Sequence, residues 1–285
     1  MIALMANIFN EKQTETKPVT LNLVNVLNTS QFTVTSWNAQ GTSRWNLDFK
    51  KAVNFLGTIE SDFYCLQEIP NAKGKLPIME RLRLPHSVIP DEDNAHSFNN
   101  SIILSKIPIV KSGEIVFPYN PHPYERVLWT DIQIADHTIR IYNCHFKIHR
   151  AGIAERLHQL EIVLQHAKNA PSRAIICGDM NTTIPASGWR RRVVEWFHEE
   201  PDTSMIVQGK YIGEDERYLF LSKAAAAGFK EADTSLSATW RIYNTPWELF
   251  NLKLDWLLYR NLEIQDFKLG PYFSDHRPLI ATCRI

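Results

Sequence analysis

The chain has 285 residues, 44% of them hydrophobic and 22% charged, enough to build a sizeable core and too apolar for an intrinsically disordered protein. Lys and Arg together number 31, as do Asp and Glu, so no chain-wide positive field draws in a polyanion and any such attraction must come from local patches. No apolar run reaches the ~20 residues of a membrane-spanning helix, and the opening MIALMANIF lacks the basic start of a secretory signal, so a cytoplasmic protein without stable membrane insertion is expected, and a monomer is the further expectation.

Residues 1–31 are polar and rich in Asn and Thr, apart from the apolar stretch Val19–Leu27, and read as a peripheral arm. Gln31–Trp37 (QFTVTSW) alternates and is rich in β-branched and aromatic residues, which predicts a strand. Trp45–Ile59 carries Leu47, Val53, Leu56 and Ile59 at helical spacing. Phe63–Leu66 is a short buried strand, and Ser101–Ser105, Ile107–Phe117, Arg126–Ala135 and Thr138–Phe146 are further strand candidates, with Pro108 marking a start or an edge. Ala151–Lys168 is the clearest helix, with Ile153, Leu157, Leu160, Val163 and Leu164 on one face. Ala174–Cys177 is a strand ending in Gly178, Trp189–His198 and Arg217–Ala227 read as helices, and Leu252–Tyr259, Glu263–Leu269 and Pro278–Arg284 close the chain as strands. Cys65, Cys144, Cys177 and Cys283 fit no zinc spacing, and three of them sit in apolar strand-like runs, as free buried thiols do. Strands and helices interleave without a linker, which predicts one α/β domain over 32–285.

Polar residues recur where the apolar strands end. Asn38 follows Trp37, Glu68 comes just after Leu66, and Asp179 and Asn181 follow Cys177. His145 lies near the end of its strand, Asp255 sits within Leu252–Tyr259, and Asp275 and His276 precede the last strand. Each alone has an ordinary reading as a turn residue, a cap or a satisfied core histidine. Together they look like a site at one edge of a sheet. Hard cations such as Mg²⁺ take carboxylate and amide oxygens, and such an ion polarises a phosphoryl oxygen while a positioned base orients water.

Trp37–Asn38, Leu66–Gln67–Glu68, Asn99–Ser105 (NNSIILS), Arg126, Asn143–Phe146 (NCHF), Gly178–Asn181 (GDMN), Leu254–Trp256 (LDW) and Ser274–Pro278 (SDHRP) follow one another in an order that resembles the endonuclease/exonuclease/phosphatase superfamily, the deoxyribonuclease-I-like fold. The resemblance covers about Phe32 to Ile285, and Ser36–Asn46 is similar to the start of cytolethal distending toxin nuclease subunits. It implies an α/β four-layer sandwich of two packed, mostly antiparallel β-sheets flanked by helices. It also implies Mg²⁺, or Mn²⁺ in its place, with Asn38, Glu68 and Asp275 as metal residues. Asp179 would orient or deprotonate the water, Asn181 would hold phosphate or water, and Asp255 would orient His276 and favour its charged form. His145 would face the phosphate, and Arg126 and Asn100 would contact substrate. Met180 and Trp256 depart from the usual Phe and Tyr or His, but both remain apolar.

The nature of the phosphoester is less sharply encoded. Arg190–Arg192 beside the Asp179 turn suit a nucleic-acid backbone, or a solvated helix face paired with Glu195, Glu199 and Glu200. Lys147, His149 and Arg150 extend the basic rim, and Trp240 in the aromatic run before Asp255 suits stacking on a base, contact with lipid, or core packing. The leading expectation is a nuclease acting on DNA or RNA. The alternative is a sphingomyelinase-like enzyme, or a phosphoinositide or small-molecule phosphatase of the same fold.

Overall fold

The computed structural model describes residues 30–39, 46–69, 78, 80–90, 100–117, 126–147, 153–182, 216–235, 237–241 and 252–285, with backbone alone at 46–50, 100 and 153. In chain order these form β1 (Gln31–Asn38), α1 (Asn46–Ile59), β2 (Phe63–Ile69), β3 (His86–Val88), β4 (Asn100–Ser105), β5 (Ile109–Val116), β6 (Arg126–Ile134) and β7 (His137–His145). There follow α2 (Ile153–Lys168), β8 (Arg173–Asp179), α3 (Glu216–Ala226), β9 (Lys230–Glu231), β10 (Asp255–Arg260), β11 (Glu263–Leu269) and β12 (Leu279–Arg284). The strands make two six-stranded sheets, ordered β11-β12-β1-β2-β4-β3 and β5-β6-β7-β8-β10-β9. In each sheet the central pair is parallel, β1 with β2 and β7 with β8, and every other pair is antiparallel. None of the described helices is long and apolar enough to cross a membrane.

The two-residue alternation of each strand sorts its apolar side chains into separate layers. On β2, Phe63 and Cys65 face the other sheet, while Tyr64 and Leu66 join Trp37, Val53, Leu56 and Leu104 under α1. On β8, Ile175 and Cys177 point into the intersheet core, whereas Ala174 and Ile176 pack with Leu157, Leu160, Val163 and Phe220 of α2 and α3. Three apolar interlayers therefore hold four layers of structure, as expected. All four cysteines are buried and free.

The strand boundaries shift in ways that matter for the site. β2 runs on past Leu66 to Ile69, and β8 past Cys177 to Asp179, so Glu68 and Asp179 belong to strands rather than following them. Asp255 opens β10 instead of sitting within it, because Leu252 is drawn into an isolated bridge with Trp240. The short β3 and β9 span three and two residues, too few to show a periodicity in the sequence. The expected arm up to Thr29, the stretch Val19–Leu27 and the helix Trp189–His198 lie outside the described residues.

One buried ionic cluster joins α2 to α3, and a second joins the loops beside β9 and β10. Arg156 on α2 meets Glu216 on α3 with Nε to Oε1 at 2.5 Å, and both side chains are essentially without solvent exposure. Removing one partner strands the other charge in the interior, so Arg156→Met is expected to cost about 3 kcal/mol in a denaturant titration.

The second cluster joins Lys253 to Asp233 (3.1 Å) and Glu231 (3.3 Å). Burial pushes the Glu231 carboxyl up to about 7, against the pull of Lys253 and of the Asp233 backbone N–H. A carboxyl with a higher pKa when folded binds its proton more tightly in the native state. Stability therefore falls as pH rises from the ordinary 4.5 to about 7, and the loss is complete above that. The gap caps the effect at about 3 kcal/mol. Glu231→Gln, which cannot ionise, should melt close to the parent at about pH 5 and above it at about pH 8. Parallel pH profiles for the two proteins would disprove this.

Candidate active site

The parallel strand pairs at the sheet centres stack on one another and end at a common rim. Asn38 and Glu68 come from the carboxyl ends of β1 and β2, and His145 and Asp179 from those of β7 and β8. Register does the rest, for His145 lies beside Asp179, and Asp255 faces Asp179 from the antiparallel β10. The carboxyl ends of parallel strands are where open α/β sheets bind ligands, since the connections leave a crevice there.

Three backbone features aim these side chains. Between Leu66 and Ile69, β2 spends three residue steps against two on β4 (Ile102 to Asn100), a bulge that holds Glu68 at φ 52°. A left-handed glutamate costs on the order of 1 kcal/mol and persists only where the surroundings enforce it. Gly178 has φ 136°, and a Cβ there would lie 1.9 Å from the Cys144 carbonyl oxygen, so only glycine lets β7 and β8 approach just before Asp179. Asn181 at φ 50° then turns the chain, with its backbone N–H donating to Asp179 Oδ1 at 3.0 Å and its Nδ2 to the Phe146 carbonyl at 3.1 Å.

The side chains form one web. Asn38 Nδ2 donates to Glu68 Oε1 at 3.0 Å and to Asp179 Oδ2 at 2.8 Å, so one buried amide joins the two sheets' acids. His276 Nδ1 lies 2.8 Å from Asp255 Oδ2, and its Nε2 is 3.7 Å from Asp179 Oδ2 and 3.8 Å from Asp275 Oδ1. His145 Nε2 is 3.7 Å from Glu68 Oε1 and 4.0 Å from Asp179 Oδ2. Burial disfavours an imidazolium, but Asp255, Asp179 and Asp275 outweigh it and hold His276 well above its usual pKa. Burial raises the Asp179 carboxyl, with Asp255 reinforcing and the two histidines and Asn38 opposing. Burial likewise lifts Asp275 to about 6, against His276 and the Trp240 N–H.

Among the described residues, two groups place metal-ligating atoms within 4.8 Å of one another: Glu68, His145 and Asp179, and Asp179, Asp255 and His276. Glu68, found only in the first, is the carboxylate best placed to take a cation. His276 and Asp255 are spent on each other, and the Glu68 side chain keeps 17% exposure where that of Asp179 has 3%. Buried His145 Nε2, Asp255 Oδ1 and Asp275 Oδ1 have no hydrogen-bond partner among the described residues. Unsatisfied buried polar atoms cost about 1–3 kcal/mol each, and a hard divalent cation with phosphoryl oxygens suits this oxygen-rich set. The donors present thus fit such an ion.

The expected substrate contacts are placed unevenly. The pairing of Val127 with Cys144 sets Arg126 opposite His145 at the rim, where its guanidinium meets Glu114 at 2.9 Å. Asn100 opens β4 opposite Ile69, on the Glu68 side. Trp240 reaches the site, but its indole N–H donates to Asp275 Oδ2 at 2.8 Å. Arg190 lies outside the described residues. Four supporting residues carried no foreseen role. Gln67 Nε2 donates to Asn143 Oδ1 at 2.6 Å, and Asn143 Nδ2 donates to the Leu66 and Ile102 carbonyls, a polar link across the sheets below the site. Ser274 Oγ donates to the Asn38 carbonyl and accepts from the His276 N–H, and Thr239 Oγ1 accepts from the Leu254 and Asp255 N–H groups. The legible signal was polar residues inside apolar strand runs, at Gln67 and Asn143; nothing local marks Thr239.

The sequence matches the family model described as Endonuclease/Exonuclease/phosphatase family over residues 35–276. A search of curated protein sequences finds no match. Among solved structures, TDP2 from D. rerio, determined in complex with single-strand DNA product, shares 18% identity at a TM-score of 0.65, covering 90% of this chain and 100% of that one. An endonuclease/exonuclease/phosphatase from Bacteroides vulgatus is similar at 12% identity and TM-score 0.68, covering 90% and 99%. One from Beutenbergia cavernae shares 18% identity at 0.64, covering 90% of this chain and 72% of that one. At these identities the likeness is one of fold.

Proposed function

We propose that this chain, which belongs to the endonuclease/exonuclease/phosphatase family, is a divalent-metal-dependent phosphoesterase that hydrolyses phosphodiester bonds in nucleic acid. The observation that carries the reading is the single buried amide of Asn38, which joins Glu68 to Asp179 beside the Asp255–His276 pair. Glu68 and Asp275 would hold Mg²⁺ or Mn²⁺, with Asn38 fixing the Glu68 carboxylate. When bound, the ion supplies neutralisation of charge on a phosphoryl oxygen.

The chain's own groups do the rest. Asp179, pushed up by burial, is a better base than an ordinary carboxylate and takes the proton of the attacking water. Water oxygen bonds to phosphorus as the bond to the leaving oxygen breaks on the opposite side. His276, kept cationic by the surrounding acids, presents Nε2 to a non-bridging oxygen. His145 and Arg126 add donors at the rim, and Asn181 keeps Asp179 in place through its backbone N–H. The catalytic unit is residues 32–285, with 1–31 as an arm, acting as a monomer. Nucleic acid is favoured as substrate by the Arg190–Arg192 run in the sequence and by the DNA product in the D. rerio TDP2 structure.

The test is incubation of the protein with plasmid, single-stranded DNA, RNA, sphingomyelin and phosphoinositide vesicles, each with Mg²⁺, Mn²⁺ or chelator. Metal-dependent scission of DNA or RNA is expected. Release of phosphocholine or inorganic phosphate with no strand scission would replace nucleic acid by a lipid substrate. Scission that persists in chelator would overturn the metal requirement.

A further inference from the structure

Lys253 is buried two residues before Asp255, and its side chain has 3% exposure. Its Nζ reaches Asp233 Oδ2 at 3.1 Å and Glu231 Oε1 at 3.3 Å, and lies 4.8 Å from the Trp256 ring centre. A buried ion cluster of this kind is weak support for stability, because desolvation offsets most of the attraction; what it specifies is the better question.

What lies around it is a chain of bonds leading to the catalytic rim. Asp233 accepts from Ser235 N–H at 3.1 Å, Ser235 Oγ at 2.6 Å and Ser237 N–H at 2.8 Å, closing the turn after β9. Two residues beyond that turn, Thr239 accepts from the Leu254 and Asp255 N–H groups, both at 3.0 Å. Trp240 and Leu252 exchange backbone hydrogen bonds at 2.9 Å. The Trp240 indole then donates to Asp275 Oδ2, and Asp275 Oδ1 lies 3.8 Å from His276 Nε2. Trp256 donates to the Thr182 carbonyl, and the Leu254 carbonyl accepts from the Met180 N–H, so the same segment also braces the turn after Asp179.

We propose that Lys253 and Asp233 are positioning residues: their buried ion pair clamps segment 231–241 against 252–255 and so holds the Trp240 indole on Asp275. This assigns Trp240 a task other than stacking on a base. It rests on the phosphoesterase reading for its kinetic consequence, but not for its structural one. Without the cation, Asp233 loses an ionic partner, the turn loosens, and Asp275 is free to rotate away from His276. Lys253 acts on the rim only through Trp240 and Asp275, so at saturating Mg²⁺ the loss falls on the chemical step rather than on DNA binding.

The test compares Lys253→Met, Lys253→Arg, Trp240→Phe and the double variant Lys253→Met/Trp240→Phe, with Asp233→Asn as a second way to break the clamp should Lys253→Met fail to fold. The structural readout is the indole N–H resonance of Trp240 in ¹⁵N-labelled protein without metal or substrate, assigned by its loss in Trp240→Phe. The resonance is expected to move in Lys253→Met and Asp233→Asn and to return in Lys253→Arg. On DNA with Mg²⁺, kcat should fall about tenfold to hundredfold, as supporting partners of a metal site typically cost, with KM nearly unchanged. In the Trp240→Phe background, Lys253→Met should cost little more. An unmoved indole resonance, or losses that multiply in the double variant, would overturn the clamp. If the parent cleaves no substrate, the functional reading fails while the indole resonance still decides the clamp.

Discussion

His276→Gln is expected to lower kcat on DNA roughly a thousandfold, an effect of the size seen when a charged donor to the reacting phosphate is lost. His276 is enclosed by three acids, with Nδ1 bonded to Asp255 at 2.8 Å and Nε2 facing Asp179 and Asp275. Glutamine keeps a donor beside Asp255 but carries no charge to the phosphoryl oxygen. Asp255→Asn should lose less, because His276 keeps Asp179 and Asp275 around it, and the double variant should fall no further than His276→Gln, since the two act as a unit. Single-turnover cleavage measures this without interference from product release. Cleavage at the parental rate by His276→Gln would remove the histidine from the mechanism, whereas a raised KM at constant kcat would make it a binding group only.

Glu68→Gln should abolish the response to the metal. A ligand that binds only the folded state raises stability by RT ln(1 + [L]/Kd), about 2.7 kcal/mol at a hundredfold excess over Kd. The parent should therefore melt higher with Mn²⁺ or Mg²⁺ than in chelator, and the variant should melt alike in both. The sign in chelator is informative as well. Glu68 sits among acids, with Asp179 sharing the Asn38 amide and Asp275 near enough to feel its charge, so removing its charge relieves repulsion. The variant in chelator should be at least as stable as the parent, which separates loss of a ligand from damage to the fold. Activity should fall at least about a hundredfold, the range for a lost electrostatic contribution of this kind. A metal-induced shift of parental size in Glu68→Gln would move the cation away from Glu68.

Much of this was written into the local sequence. Alternation along Gln31–Trp37 and the apolar stripe of Ala151–Lys168 placed a strand and a helix because side-chain period is a local property that burial preserves. The ordered motifs from Trp37–Asn38 to Ser274–Pro278 pointed to one family, and the family model spans 35–276. The glycine before Asp179 was visible, but its reason was not: the Cys144 carbonyl that forbids a side chain belongs to a neighbouring strand.

What only the tertiary structure decided is which polar atoms meet. The sequence named Asn38, Glu68 and Asp179 as separate strand-end residues; stacking the parallel pairs of two sheets made one amide serve both acids. The bulge that turns Glu68 to the rim arises from pairing with β4, and Asp255 heads β10 because Leu252 is taken by Trp240. Trp240 itself reads in sequence as an aromatic suited to stacking, and it became a donor to Asp275 through a loop closed by Asp233 and Lys253. Periodicity records which side of an element is buried. Hydrogen bonds and ion pairs join residues far apart in the chain, and their partners exist only once the layers are packed.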